Sequence, residues 1–238
     1  MNAIVTGGTK GIGLAVTKML LQEGYAVTAT YGHDINAAER VRGELAAQGL
    51  PIEVVQAAQD DKTQMSALVE HMHRKGHVDC IVCNAGITER GKLVDITDEA
   101  WERVMQVNVN SQMVLIRDLY DVIAPNARIV FIGSILGVYP HSMSLAYGVS
   151  KAAVIAMAKN MVKEFAGTGT TVNVIAPGFV ETEWQKNKPE EIKRSICEKT
   201  AAGRFAEPEE IAEAVRFCVK NAFVNGSVIE IHGGYNYR

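Results

Sequence analysis

Short apolar runs rich in Val, Ile and Ala alternate along the chain with longer segments whose apolar positions recur at helical spacing. A parallel sheet with crossover helices produces this alternation. The pattern predicts strands over 2–6, 25–31, 52–57, 78–83, 127–133, 171–176 and 227–231. It predicts helices near 11–23, 34–48, 62–76, 98–123, 147–166 and 208–220. Gly24, Gly49 and Gly76 each follow a helical segment, where a residue free to take positive φ can end the helix. The expected fold class is α/β, a doubly wound, mostly seven-stranded parallel sheet flanked by helices. No linker, low-complexity tract or fixed-period repeat interrupts the pattern, so residues 1–238 are expected to form a single domain.

One long irregular stretch, 177–207, follows the sixth strand. Ligands in such sheets bind beyond the carboxyl ends of the strands, which places this stretch to act as a substrate lid. A plain connecting segment is the alternative. Trp184, Ile192 and Ile196, apolar residues in an otherwise charged run, favour the lid.

Composition narrows the function. With 47% hydrophobic and 21% charged residues there is ample material for a core, and a formal charge of -3 without any basic run argues against nucleic-acid or membrane-surface binding. Lys151 and Lys159 interrupt the longest apolar stretch, so no membrane span is expected. Met1 leads almost at once into Ala3-Ile4-Val5 without a secretory pattern, and the expected location is cytoplasmic. Cys80 and Cys83 resemble a CxxC pair but lie on a predicted strand, where residues three apart face opposite ways. They are read as reduced, and no metal site is expected; His71, His73 and His77 look like a cationic helix end.

The candidate chemistry begins after the first strand, at Thr6-Gly7-Gly8-Thr9-Lys10-Gly11-Ile12-Gly13, which opens a helical run. Glycines let backbone approach a pyrophosphate, and the free amides at the start of a helix stabilise its charge. Tyr147-Gly148-Val149-Ser150-Lys151 puts a phenol and an ammonium four residues apart, on one helix face. Ser134 stands 13 residues earlier at the end of a strand, Cys83-Asn84-Ala85-Gly86 follows the fourth strand, and Pro177-Gly178-Phe179-Val180-Glu181-Thr182 follows the sixth. Val107-Asn108-Val109 lies in the predicted helix between.

Taken in order, these segments resemble the short-chain dehydrogenase/reductase family over essentially the whole chain. The glycine turn is similar to that family's TGxxxGIG element, and the resemblance implies a Rossmann fold, a nicotinamide cofactor and four catalytic residues. Tyr147 would protonate the substrate carbonyl, Lys151 would lower the Tyr pKa and hold the nicotinamide ribose, Ser134 would stabilise charge on oxygen, and Asn108 would keep a relay water. Cofactor contacts are implied for Gly7, Thr9, Lys10, Gly11, Ile12, Gly13, Tyr31, Asn84, Ala85, Gly86, Tyr147, Lys151, Pro177, Gly178, Val180 and Thr182.

The second strand ends Ala29-Thr30-Tyr31-Gly32-His33, with no carboxylate where NAD enzymes of this fold hold the ribose. Lys10 supplies a cation where NADPH-preferring members meet the 2′-phosphate, so NADPH/NADP+ is the expected cofactor. Asp34 reads as a helix N-cap, with a shifted ribose contact as the alternative. Where the family has an Asp for adenine, this chain has Ala58, with Gln59 or Asp60 as substitutes.

The pattern is most similar to 3-oxoacyl-(acyl-carrier-protein) reductases, which implies a 3-oxoacyl thioester and an acyl carrier protein as partner. The family's usual basic positions read Ala124-Pro125-Asn126-Ala127 and Gly167-Thr168-Gly169 here; Lys186, Lys188, Lys193 and Arg194 could serve instead. Other readings are a dehydrogenase of a small alcohol, sugar or steroid, and a non-catalytic NADP-binding regulatory protein. The resemblance also implies a homotetramer. Ala152, Ala153, Ala156 and Ala158 would permit close helix packing there, or against the chain's own sheet.

Overall fold

The structure is a computed structural model describing residues 1–235 and 237. Seven strands form one parallel sheet: β1 (Asn2–Val5), β2 (Ala26–Tyr31), β3 (Glu53–Gln56), β4 (Val78–Cys83), β5 (Ile123–Ile132), β6 (Thr171–Pro177) and β7 (Val228–Ile231). Their order is β3-β2-β1-β4-β5-β6-β7. The chain runs outward from β1 to β3, then crosses back to β4. The crevice at the carboxyl ends of β1 and β4 is therefore the topological switch point, where doubly wound sheets bind ligands.

Side chains alternate between two cores. Ala3 and Val5 of β1 and Cys80 and Val82 of β4 face a core shared with α1 (Gly11–Gln22), α2 (Ile35–Ala47) and α9 (Pro208–Lys220). Ile4, Ile81 and Cys83 face a second core with α3 (Lys62–Lys75), α5 (Ser111–Asp118) and α6 (Leu145–Glu164). Cys80 and Cys83 thus point to opposite sides of the sheet, and both are buried free thiols. Each fully buried Leu or Ile in these cores contributes ~1.5–3 kcal/mol relative to exposure, which fixes the sheet on which the site is built.

Two expectations need correction. The helix expected over 98–123 is continuously helical only to Asp118, as α4 (Asp98–Met105), a π-helical turn (Gln106–Asn110) and α5, and a 3-10 turn (Tyr120–Val122) follows it. The strand expected to start at 127 starts at Ile123, which pairs with Val78 before a register shift to Cys80↔Arg128. Pro125 lacks the N–H a helix would need and biases the residue before it to extended backbone. Within 177–207 lie two helices, α7 (Glu183–Lys186) and α8 (Glu190–Lys199).

Candidate active site

Threonines at the ends of β1 and β2 hold the glycine turn. The Thr6 hydroxyl accepts from the N–H groups of Asn84 (2.9 Å) and Ala85 (3.0 Å). The Asn84 amide donates back to the carbonyls of Thr6 (2.9 Å) and Gly7 (3.2 Å). On the other side, Gly7 N–H donates to the Thr30 hydroxyl (3.1 Å) and Gly8 N–H to the Thr30 carbonyl (2.9 Å). Thr17 of α1 donates to the Gly8 carbonyl (3.0 Å). Gly7 and Gly11 have φ of +62° and +48°, in the region that favours glycine. Gly13 has no such φ, yet a Cβ there would lie 2.1 Å from the Gly7 carbonyl oxygen. The unpaired first-turn amides of α1 open on the same crevice as an anion site.

The chemistry lies on the far side of that crevice. Ser134, buried at the end of β5, caps the 3-10 turn Ile135–Gly137, its Oγ accepting from Leu136 N–H at 3.1 Å. Gly137 lets that turn pack on α6, since a Cβ there would stand 2.6 Å from the Lys151 carbonyl carbon. Lys151, 2% exposed, donates from Nζ to the Ile132 carbonyl at 2.7 Å, and Nζ lies 5.7 Å from the centroid of the Tyr147 ring. A Cβ on Gly86 would meet Asn108 Oδ1 at 3.1 Å and Lys151 Nζ at 3.5 Å, so backbone without a side chain faces both groups. Asn108 and Lys151 thus meet beside Gly86, with the Tyr147 ring next to Lys151 and Ser134 next to Tyr147.

Asn108 is fully buried in the π-helical turn. Its Oδ1 accepts from Ile87 N–H (2.8 Å), and its Nδ2 donates to the Ile87 carbonyl (2.9 Å) and to Ser150 Oγ (2.9 Å). Ser150 in turn donates to the Tyr147 carbonyl (2.7 Å). The Asn108 amide therefore clamps the segment after Gly86 to the helix of Tyr147.

Burial dominates the electrostatics. It pushes the Tyr147 phenol up to about 12, opposed by the neighbouring Ser134 hydroxyl. It pushes the Lys151 ammonium down to about 8, opposed by Cys83. In the free protein Tyr147 is thus a neutral acid over the ordinary pH range, and desolvation outweighs the depression expected from the neighbouring ammonium.

Other expected cofactor residues divide. Asp34 caps α2, accepting from Ala37 N–H at 3.0 Å, and also binds Lys10 Nζ, which lies 3.4 Å from Glu183. Tyr31 ends β2, half-buried, and Thr9 is buried in the turn. Ile12 packs into the first core. Ala58 is buried where an Asp was expected. Gln59 is directed inward, donating to the Ala57 carbonyl (3.2 Å) and accepting from Ser111 Oγ (3.0 Å). Its side chain is not available to adenine. Asp60 faces outward and pairs with Arg103 at 3.3 Å.

At the end of β6, Gly178 N–H donates to the Ile231 carbonyl (2.9 Å), and the bare Gly178 packs against His232. Val180 bridges to Ala206. The Thr182 methyl lies against Gly11, so the segment after β6 touches the glycine turn, and Trp184 meets the Tyr147 ring edge-on with centroids 6.2 Å apart.

Residues 1–193 match the sequence model of the family described as short chain dehydrogenase. The chain belongs to the short-chain dehydrogenase family. It is 36% identical over 241 residues to a 3-oxoacyl-(acyl-carrier-protein) reductase of Thermotoga maritima, covering 97% of this chain and 96% of that one. A short-chain dehydrogenase/reductase from Serratia marcescens superposes with a TM-score of 0.92 at 29% identity, over 99% of this chain and 97% of that one. A Burkholderia cenocepacia short chain dehydrogenase solved with NADP superposes with a TM-score of 0.90 at 29% identity, over 98% and 96%. This short-chain dehydrogenase is an oxidoreductase of Rossmann-like fold, and its family binds a nicotinamide cofactor. The glycine cradle, the open start of α1 and the bare backbone at Gly86 fit such a dinucleotide.

A pH dependence follows from Lys151. Its folded pKa lies below that of an ordinary lysine, so between about pH 8 and the ordinary value near ~10.5 the unfolded chain binds more protons. Stability therefore rises with pH through that window, and below it the full burial cost is present. In catalysis the loss of charge acts the other way. kcat/KM for the nicotinamide cofactor, which reports groups of the free enzyme, is expected to fall above about pH 8 as Lys151 turns neutral. Initial rates at limiting cofactor check this, and a flat profile across the window would contradict it.

Proposed function

We propose that this dehydrogenase reduces a carbonyl to an alcohol with NADPH, and that the carbonyl belongs to a 3-oxoacyl thioester. The observation that carries the reading is the convergence of Tyr147, Ser134, Lys151 and Asn108 beside the bare backbone of Gly86, across the crevice from the glycine turn. When bound, the cofactor would supply hydride to the carbonyl carbon. Tyr147, kept neutral by burial, donates its proton to the carbonyl oxygen. Ser134 steadies the charge that builds there, and Lys151 charges and orients the pocket. Asn108 acts as a positioning residue, holding the segment after Gly86 against α6.

Support for NADPH comes from Lys10. It stands beside the end of β2 as the cation a 2′-phosphate would meet, and such a phosphate would have to displace its present partners, the carboxylates of Asp34 and Glu183. The thioester reading is supported by the Thermotoga maritima relative and its coverage of nearly the whole chain. An acyl carrier protein is the partner this reading implies. The chain reads as one catalytic domain working in the cytoplasm. A homotetramer is supported by Leu145, Val149, Ala152 and Ala156, which leave an exposed apolar stripe on α6, whereas Ala158 packs into the chain's own core.

A panel of carbonyl compounds assayed with NADPH and NADH tests the reading. An acetoacetyl thioester is expected to outperform free ketones, sugars and steroids, and NADPH to outperform NADH. Lys10→Met is expected to raise KM for NADPH about tenfold, with a much smaller effect on NADH. Equal KM values for the two cofactors in the unmodified enzyme would overturn the cofactor assignment.

A further inference from the structure

At the outer end of the lid, the Lys188 ammonium lies over the ring of Phe179, 5.1 Å from its centroid. That ring stacks on Phe205 with centroids 6.1 Å apart and faces His141 at 6.5 Å. His141 belongs to the loop that leads into Tyr147, and Trp184, four residues before Lys188, touches Tyr147. The loop after β4 is tied to the same place, since Gly91 N–H donates to the Met143 carbonyl at 3.3 Å, and it brings Arg90 near Lys188. Cations from two separate elements thus lie near one another, one of them over an aromatic wall, on a segment whose Trp184 meets the Tyr147 ring.

Among the described residues no carboxylate pairs with either charge. Lys186 pairs with Glu183 at 3.1 Å and Lys193 with Glu190 at 2.9 Å. Among the described residues neither Lys188 nor Arg90 has such an ion pair. Burial, then Arg90 and Lys193, hold the Lys188 pKa below that of an ordinary lysine, and no carboxylate opposes them. A half-buried cation among cations costs free energy in the empty protein, and an incoming anion relieves it.

We propose that Lys188 and Arg90 form a subsite for an oxyanion, phosphate or carboxylate, carried by the substrate away from its reacting carbonyl. The subsite rests on the reading of Tyr147 and its neighbours as a carbonyl-reducing centre. A substrate anchored this way sits with its anion over the Phe179 wall and its carbonyl toward Tyr147. A neutral ketone gains nothing from the pair.

The test compares acetoacetyl pantetheine with its 4′-phosphate, two probes that differ only in the anion. The phosphorylated probe is expected to have about tenfold lower KM. Lys188→Glu and Arg90→Glu should each erase that preference, and Lys188→Arg should retain it. A 3-oxo dicarboxylic acid and its monoester form the second arm: preference for the free acid identifies a carboxylate source, and preference confined to the phosphorylated probe identifies a phosphopantetheine source. Equal KM values for charged and neutral probes in both arms, or equal shifts for both in Lys188→Glu, would overturn the subsite. Calorimetry of the same pairs on NADP+-loaded protein separates the two readings. A preference for the anion without any turnover upholds the subsite and sinks carbonyl reduction, and turnover without that preference does the reverse.

Discussion

Gly13→Ala is expected to abolish productive cofactor binding and to lower the melting temperature, although Gly13 lies in the first turn of α1 and alanine is the better helix former by ~1 kcal/mol. Propensity alone predicts stabilisation. Space predicts the reverse, because the new methyl would stand 2.1 Å from the Gly7 carbonyl oxygen and 2.5 Å from Asn84 Nδ2. Relief requires the glycine turn to move off α1 or the Asn84 amide to release Thr6 and Gly7, which opens the brace between β1 and β4. Overpacking of this kind costs ~1–3 kcal/mol or more, enough to exceed the propensity gain. The dissociation constant for NADPH is expected to rise on the order of 100-fold, about 2.7 kcal/mol. Gly43→Ala is the control, since Gly43 lies within α2 with nothing within 4 Å of a Cβ, and it should stabilise slightly without touching binding. Thermal melts and cofactor titration of both variants check the pair, and a Gly13→Ala protein as stable as Gly43→Ala would contradict the steric account.

The strands were legible because their residues are largely buried and read as short, mostly apolar runs, as in Val78–Cys83, interrupted only by Asp79, and Thr171–Pro177, where Thr171 and Asn173 interrupt. The π-helical turn at 106–110 was not legible, because it keeps the chain helical and no breaking residue marks it in Gln106-Val107-Asn108-Val109-Asn110. That turn decides what Asn108 does. Its partner Ile87 is 21 residues away, and nothing local announces the pairing. The roles of Thr6 and Thr30 were missed for a similar reason, although hydroxyl residues at strand ends beside a glycine turn are the signal that points to them. Gln59 was read as a substitute adenine contact by register, whereas Ser111 and Met65 draw its amide into the interior. Asp34 was read as a helix cap, and it caps α2. That it also holds Lys10, which lies near Glu183, joins the end of β2 to α7, a link made by the fold and absent from any single motif.

The central claim is that the Tyr147 phenol, kept neutral by burial and set beside Ser134 and Lys151, is the acid that completes reduction of a carbonyl. Tyr147→Phe removes one oxygen and leaves the ring that packs on Trp184, so α7 and the cradle are expected to stand. Loss of a positioned general acid costs ~10²–10⁴ in rate. A single-turnover experiment, with enzyme in excess over NADPH and an acetoacetyl thioester added, reads this step without interference from product release. The account predicts unchanged NADPH affinity in Tyr147→Phe and a decay of reduced nicotinamide slowed ~10³-fold, within that range. Decay at the unmodified enzyme's rate would contradict it.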